Sequence, residues 1–358
     1  MMWASKVCLS TSRTRKRACT RCRMTCYRSF EKWVSASSPP ISTDWFAMSQ
    51  PLKLRGLFPA PTVPFERTGA IDHNEFGAYL ASMSRIEGVS GVAVNGHAGE
   101  LISLTPAERL NVVRTARSVF STEQYVIAGV DPVSGEAGID VLLETRAAGA
   151  DAVLVLPPFD SMARRTLSRS PVAPVRFFEK LAEADVPIVV FQYPHATGCD
   201  YTTETLAEIA RIDQVVAVKN AVWHAEYYLE QLTAVRGQAA VLAACDAPEL
   251  LSMMMLGADG LLLGASAVGT EHWAMYVTHL RDGNYSAARD VFATTLLPIL
   301  DATFGSTRPR SATFAALTKY ALQVLGVFSS ARVRAPEIQP DEKDKGIVRT
   351  AMAAAGLI

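Results

Sequence analysis

From Arg55 onward the chain repeats one unit: a short apolar run rich in β-branched residues, then a longer stretch with helical spacing. The apolar runs are residues 57–62, 90–95, 125–130, 152–156, 187–191, 215–219, 240–244 and 260–263. Helical patterns lie between them, for example over 74–87, 106–120, 134–148 and 202–211. Thr105, followed three residues on by Glu108, reads as a helix start. Gly88, Gly149 and Gly257 stand where a helix must end before the next strand. Strands that alternate with helices form parallel βαβ units, and eight such units close into a (β/α)₈ TIM barrel, an α/β fold. An open doubly wound sheet would carry a glycine-rich phosphate loop after its first strand. Here that strand runs into Pro61-Thr62-Val63-Pro64-Phe65, which cannot cradle a pyrophosphate. Three further helical patterns, 285–304, 311–326 and 341–355, predict a C-terminal helical appendage. The expected organisation is therefore an extension over 1–47, a barrel over 48–283 and a helical domain over 284–358.

The start of the chain differs from the rest. Residues 1–48 carry nine Lys/Arg against two Asp/Glu, which leaves a net charge of −7 on the remainder. An acidic globular body argues against a nucleic-acid partner. A nucleic-acid role for the basic start would rest on charge alone. The segment has no apolar core of a secretory signal, and Pro39-Pro40 spoils an amphipathic transit helix. It reads as a disordered extension ahead of Met48. Cys19, Cys22 and Cys26 match no paired zinc spacing and have no histidine among them, so no metal is expected. Only Cys199 and Cys245 lie in the body, which makes no disulfide framework and points to a cytoplasmic protein. No run of 18 apolar residues occurs, so no membrane span is expected.

Barrel chemistry sits at the C-terminal ends of the strands. The sixth run, Val215-Val216-Ala217-Val218-Lys219, ends in a lysine. A partly desolvated amine there has a lowered pKa and can attack a ketone to form an imine. The alternative is a strand-end lysine that snorkels to water. The second run ends in Asn95-Gly96-His97-Ala98-Gly99-Glu100, where Gly96 and Gly99 let the backbone approach a ligand and offer N–H groups to a carboxylate. The alternative is a tight turn held by Glu100. His97 is either a proton shuttle or a solvated loop histidine. The fifth run ends in Phe191-Gln192-Tyr193, which places Phe191 and Tyr193 on one face of an extended chain. Tyr193 either presents its phenol to the lysine or packs in the rim. The candidate catalytic residues are thus Lys219, Tyr193 and His97. The candidate substrate-binding positions are Gly96, Ala98, Gly99, Phe191 and, just past the eighth run, Ser266.

Taken together, Pro61–Phe65 with Gly69 and Asp72, Gly96–Glu100 followed by Leu104-Thr105 and Glu108-Arg109, Gly149–Ala152 leading to Pro157-Pro158-Phe159, Pro194 with Thr197-Gly198, and Val218-Lys219 resemble the signatures of the dihydrodipicolinate synthase / N-acetylneuraminate lyase family. The likeness covers nearly the whole body. It implies a lyase, aldolase or hydro-lyase, that acts on pyruvate or another 2-oxo acid through an imine on Lys219, without cofactor or metal, as a homo-oligomer of two or four copies. It also implies what is missing. The family's catalytic tyrosine falls at Phe191, its loop threonines at His97 and Ala98, its intersubunit tyrosine at Pro158 and its aldehyde-binding arginine at Ala196. Loss of a positioned acid or base costs ~10²–10⁴ in rate, so another group must move protons. Tyr193 and His97 are nearest, and His195 is third. Phe159, Phe191, Tyr193 and Trp223 lend the expected pocket an apolar character. The alternative function is a non-catalytic relative that binds a metabolite, against which stands the retained lysine.

Overall fold

The apolar runs form strands because parallel strands covered on both faces have no polar side to present. The computed structural model describes residues 52, 54–132, 134–157, 170–304 and 310–358. The extension at 1–47 lies outside the described residues, as do Pro158 and Phe159. The strands are β1 (Gly56–Pro59), β2 (Gly91–Val94), β3 (Tyr125–Val130), β4 (Ala152–Val155), β5 (Ile188–Gln192), β6 (Val215–Asn220), β7 (Ala240–Ala243) and β8 (Gly260–Leu263). The sheet order is β1-β8-β7-β6-β5-β4-β3-β2. Each neighbouring pair in that order is parallel. A parallel bridge between Leu57 and Val89 joins the two ends, so the sheet is a nearly closed barrel. This is the expected TIM barrel with helices after it.

The helices that wrap the strands are α1 (His73–Ser84), α2 (Pro106–Val119), α3 (Gly135–Ala147), α4 (Ala173–Ala182), α5 (Thr203–Ile209), α6 (Ala225–Val235), α7 (Leu250–Met255) and α8 (Thr270–Arg281). Thr105 does open α2: its hydroxyl accepts from the Glu108 N–H while the Glu108 carboxylate accepts from the Thr105 N–H. Gly149 and Gly257 turn the chain after α3 and α7 with φ of +112° and +105°, a region that side chains disfavour. Two apolar layers result from strand alternation. Phe58, Ala93, Ile127, Leu154, Val189, Ala217, Leu242 and Leu262 fill the barrel interior. Their neighbours, such as Leu57, Val92, Val126, Val153, Val190, Val218 and Leu261, pack outward against the helices.

Beyond the barrel come α9 (Tyr285–Val291), α10 (Leu297–Thr303), α11 (Phe314–Val324) and α12 (Glu342–Ala354). The pattern over 285–304 predicted one regular helix. The backbone instead opens into a π-helical turn at Phe292–Leu296 between α9 and α10. Pro298 supplies the physical reason, since it has no N–H to donate and its ring crowds the carbonyl four residues back. Asp344 of α12 is buried and accepts from the Ser311 and Ala312 N–H groups, which fixes the approach to α11.

The C-terminal segment is also tied to the barrel by Arg334. Its guanidinium spans both Glu108 oxygens at 2.6 and 2.9 Å and reaches the carbonyls of Gly69 and Ser103. The Arg334 hydrogen bonds hold the Glu108 carboxyl down from 4.5 to about 2. A depressed carboxyl stabilises the fold above its unfolded pKa, and the contribution fades as pH falls from 4.5 toward 2. We therefore expect Glu108→Gln to flatten the acid limb of stability. Urea unfolding at neutral pH and at about pH 2.5 should show the wild type losing about 1 kcal/mol more than the variant, after solvent screening. Parallel losses in the two proteins would count against this role.

Candidate active site

Strand alternation decides which side chains face the barrel axis. In β6, Ala217 is interior, and so is Ala221 just beyond it. Lys219, between them, therefore points inward near the C-terminal end of the strand. Its register partner on β5 is Phe191. The Lys219 Nζ stands 3.7 Å from the centre of the Phe191 ring. The next residue, Asn220, faces outward and is buried, donating to Gln231 Oε1 at 2.8 Å. The snorkelling alternative does not describe this amine, which sits over an aromatic ring inside the barrel mouth.

Burial disfavours the ammonium form and lowers the Lys219 pKa to about 8, against the opposing pull of the Asp246 carboxylate. Asp246 lies two residues past Ala244 of the interior set, on the same inward parity. Burial pushes its carboxyl up to about 7, while Lys219 and the Ala265 N–H pull it back. Among the described residues its Oδ1 is buried without a hydrogen-bond partner. A buried carboxylate oxygen left unpaired is costly, and the field of the lysine ammonium is what offsets that cost. The two groups thus act on each other through space, each favouring the charged form of the other.

Tyr193 continues the inward face of β5. Its ring lies 4.3 Å from that of Phe191, and its Oη is 2.8 Å from His97 Nε2. The His97 ring is 5.6 Å from Phe191 and 5.5 Å from Tyr193. Tyr193 is buried and His97 is exposed, so the pair runs from the barrel interior to the surface. The three candidate catalytic residues are therefore brought to one mouth.

The loop after β2 is tighter than its two glycines suggest. The left-handed residues are Asn95 and Glu100, with φ of 55° and 56°, and neither glycine adopts that conformation. Gly99 is needed for space instead, because a Cβ there would stand 2.8 Å from the Asn95 nitrogen. Gly96 has room. The Glu100 N–H closes the turn on the His97 carbonyl. Among the described residues the Ala98 and Gly99 N–H groups have no acceptor. Both residues are buried, so these two donors suit an anion.

Ser266 is fully buried in the 3₁₀ turn Ala265–Ala267 after β8 and gives its hydroxyl proton to the Leu263 carbonyl. Its donor is spent inside the turn that also holds Asp246. His195 stands apart on the rim, three-quarters exposed, with Nδ1 2.9 Å from Asp200. Trp223 is exposed just past β6. Among the described residues no three His, Cys, Asp or Glu side chains gather in a way that could hold a metal ion.

Two functional groups escape a reading of the strands alone. Asp246 could have been found by carrying inward parity two residues past the seventh run. Glu100 was read as a structural hydrogen-bond partner, but its partner could not be named. It is Lys319 of α11, whose Nζ is 2.7 Å from Glu100 Oε2. No local signal connects residues so far apart in the chain.

A model of the dihydrodipicolinate synthetase family matches residues 53–355. The chain is 29% identical over 305 residues to a 4-hydroxy-tetrahydrodipicolinate synthase of Hyphomonas neptunium, an overlap of 84% of this chain and 98% of that protein. It is 24% identical over 312 residues to a probable 2-dehydro-3-deoxy-D-pentonate aldolase of Escherichia coli, covering 86% of this chain and 99% of the other. In fold it is similar to the crystal structure of an E. coli prophage protein of the dihydrodipicolinic acid synthase family in complex with pyruvate. There the TM-score is 0.75 at 22% identity, over 86% of this chain and 100% of that one.

The electrostatics of the mouth yield a pH test. The Asp246 carboxylate raises the Lys219 pKa, so removing it lowers that pKa further. The rate at which a water-soluble acylating reagent modifies Lys219 should rise with pH to a midpoint near 8 in the wild type. In Asp246→Asn the midpoint should move down by about one unit. A midpoint near an ordinary lysine value in both proteins would contradict the buried pair.

Proposed function

The chain belongs to the dihydrodipicolinate synthetase family, and from that premise we propose that it is a lyase forming a Schiff base between Lys219 and pyruvate or another 2-oxo acid. The observation that carries this reading is the inward amine of Lys219, lowered to about 8 by burial. Such an amine is partly neutral at physiological pH, as attack on a ketone requires. Pyruvate is the acid held by the structural neighbour from E. coli.

In this reading the substrate carboxylate sits on the Ala98 and Gly99 N–H groups, with Gly96 leaving the approach open. The Lys219 nitrogen bonds to C2, and the ketone oxygen leaves as water after taking up two protons. The resulting iminium draws in the electron pair of the C3–C4 bond as the C4 hydroxyl gives up its proton and the C4 fragment leaves as an aldehyde or ketone; the enamine left behind is reprotonated at C3 and water releases the 2-oxo acid from Lys219. Phe191 lies under the amine and has no proton to give. It supports the cation by its ring face, which is electrostatic stabilisation rather than acid–base work. Proton transfer falls to Tyr193, whose Oη is coupled at 2.8 Å to His97. His97 in turn exchanges with solvent. No cofactor enters this scheme. The walls at Phe191 and Tyr193 favour a partner for the 2-oxo acid that is less polar than one held by an arginine. A homo-oligomer of two or four copies is part of the same reading.

Mass spectrometry after borohydride reduction, with pyruvate and a panel of 2-oxo acids, tests it. We expect a stable adduct on Lys219 and none in Lys219→Ala. Tyr193→Phe should still trap the adduct while losing about 10²-fold or more in turnover. Folded wild-type protein that traps none of the acids would instead favour a barrel that only binds a metabolite.

A further inference from the structure

The C-terminal helix α11 reaches the loop after β2 at two points. One is apolar: a Cβ on Gly264, just after β8, would stand 2.6 Å from Phe314 Cζ and 2.9 Å from Ala98 Cβ. Phe314 therefore packs into the corner between that loop and β8. The other is ionic. Lys319, fully buried, places its Nζ 2.7 Å from Glu100 Oε2, donates to the Arg332 carbonyl at 3.0 Å and lies 3.8 Å above the Phe65 ring. Thr62, three residues past β1, donates to the same Glu100 oxygen at 2.7 Å.

These contacts are expensive. Both charges are fully desolvated, Glu100 Oε1 has no partner among the described residues, and the Glu100 backbone is left-handed without being glycine. A buried ion pair of this kind is weak evidence for stability, and strained backbone persists where surrounding structure over-determines it. What the arrangement achieves is geometric. Glu100 is the last residue of the turn that presents the Ala98 and Gly99 N–H groups, and its own N–H closes that turn on His97. Any shift of Glu100 moves the donors.

We propose that Lys319 is a positioning residue: by clamping Glu100 it sets the orientation of the Ala98 and Gly99 N–H groups toward the substrate carboxylate. This rests on the lyase reading above and extends it to the C-terminal helices. The acid-binding loop is then held from outside the barrel, and α11 is part of the site without touching substrate.

The test is the rate of Lys219 adduct formation against pyruvate concentration, by borohydride reduction and mass spectrometry of the full chain. The variants are Glu100→Gln and the charge-free pair Glu100→Gln with Lys319→Met, each checked for native circular dichroism. The double variant should raise the half-saturating pyruvate about tenfold, while the maximal rate stays within about twofold, because carboxylate docking is loosened and the amine is untouched. Glu100→Gln alone, which keeps an oxygen for Lys319 and Thr62, should show a smaller rise of about threefold. It decides the matter if the double variant does not fold. Half-saturation unchanged in the folded variants overturns the proposal, and so does a fall in maximal rate at unchanged half-saturation. If the wild type itself forms no adduct, the lyase reading fails first and this inference falls with it.

Discussion

A parallel strand in a closed barrel has no solvent face, so every second side chain is committed to the axis and the rest to the helices. That commitment governs this molecule. Ala217 and Leu242 pack in the interior because they are small or apolar. Lys219 and Asp246 share their parity and so must enter the same interior, despite the cost of burying charge. The barrel meets that cost by placing them near its mouth, one strand apart, where each offsets the burial of the other. The lowered lysine pKa thus follows from strand geometry before any substrate is considered.

The aromatic side of the mouth follows from the same alternation. Phe191 near the end of β5 and Tyr193 just past it are two residues apart, with rings 4.3 Å apart, and the Phe191 ring lies under the amine. Where the family likeness leads one to expect a phenol, the residue at the lysine is Phe191. The next inward position holds Tyr193, whose Oη meets His97 Nε2. A ring face can stabilise an ammonium and a hydroxyl can carry a proton, and these two kinds of group stand two residues apart at the end of one strand.

Lys319 and Lys219 illustrate how pairing separates roles. Lys319 has a carboxylate at 2.7 Å, a carbonyl and a ring face, and its charge is fully accounted for. It can only hold. Lys219 has a ring face and a carboxylate that acts through space, so its proton is within reach of neutral pH. The first ties the C-terminal helices to the loop after β2, and the second lies against the Phe191 ring with a weakened hold on its proton.

The sequence by itself determined the strand and helix order, the capping box at Thr105 and the lysine at the end of the sixth strand. These rest on periodicity, on local hydrogen bonding and on the single direction in which a barrel strand can end. It also carried the pairing of Phe191 with Tyr193 on one face, since that needs only an extended backbone. Tertiary structure alone decided the rest. Asp246 came to Lys219, His97 to Tyr193, and Lys319 to Glu100, because barrel closure and the docking of α11 bring together residues between 27 and 219 places apart in the chain. The left-handed Asn95 and Glu100 were set by what packs against them. Period and propensity act within a few residues. The pKa of an amine depends on every charge and dipole within several ångströms, and only the closed barrel states which those are.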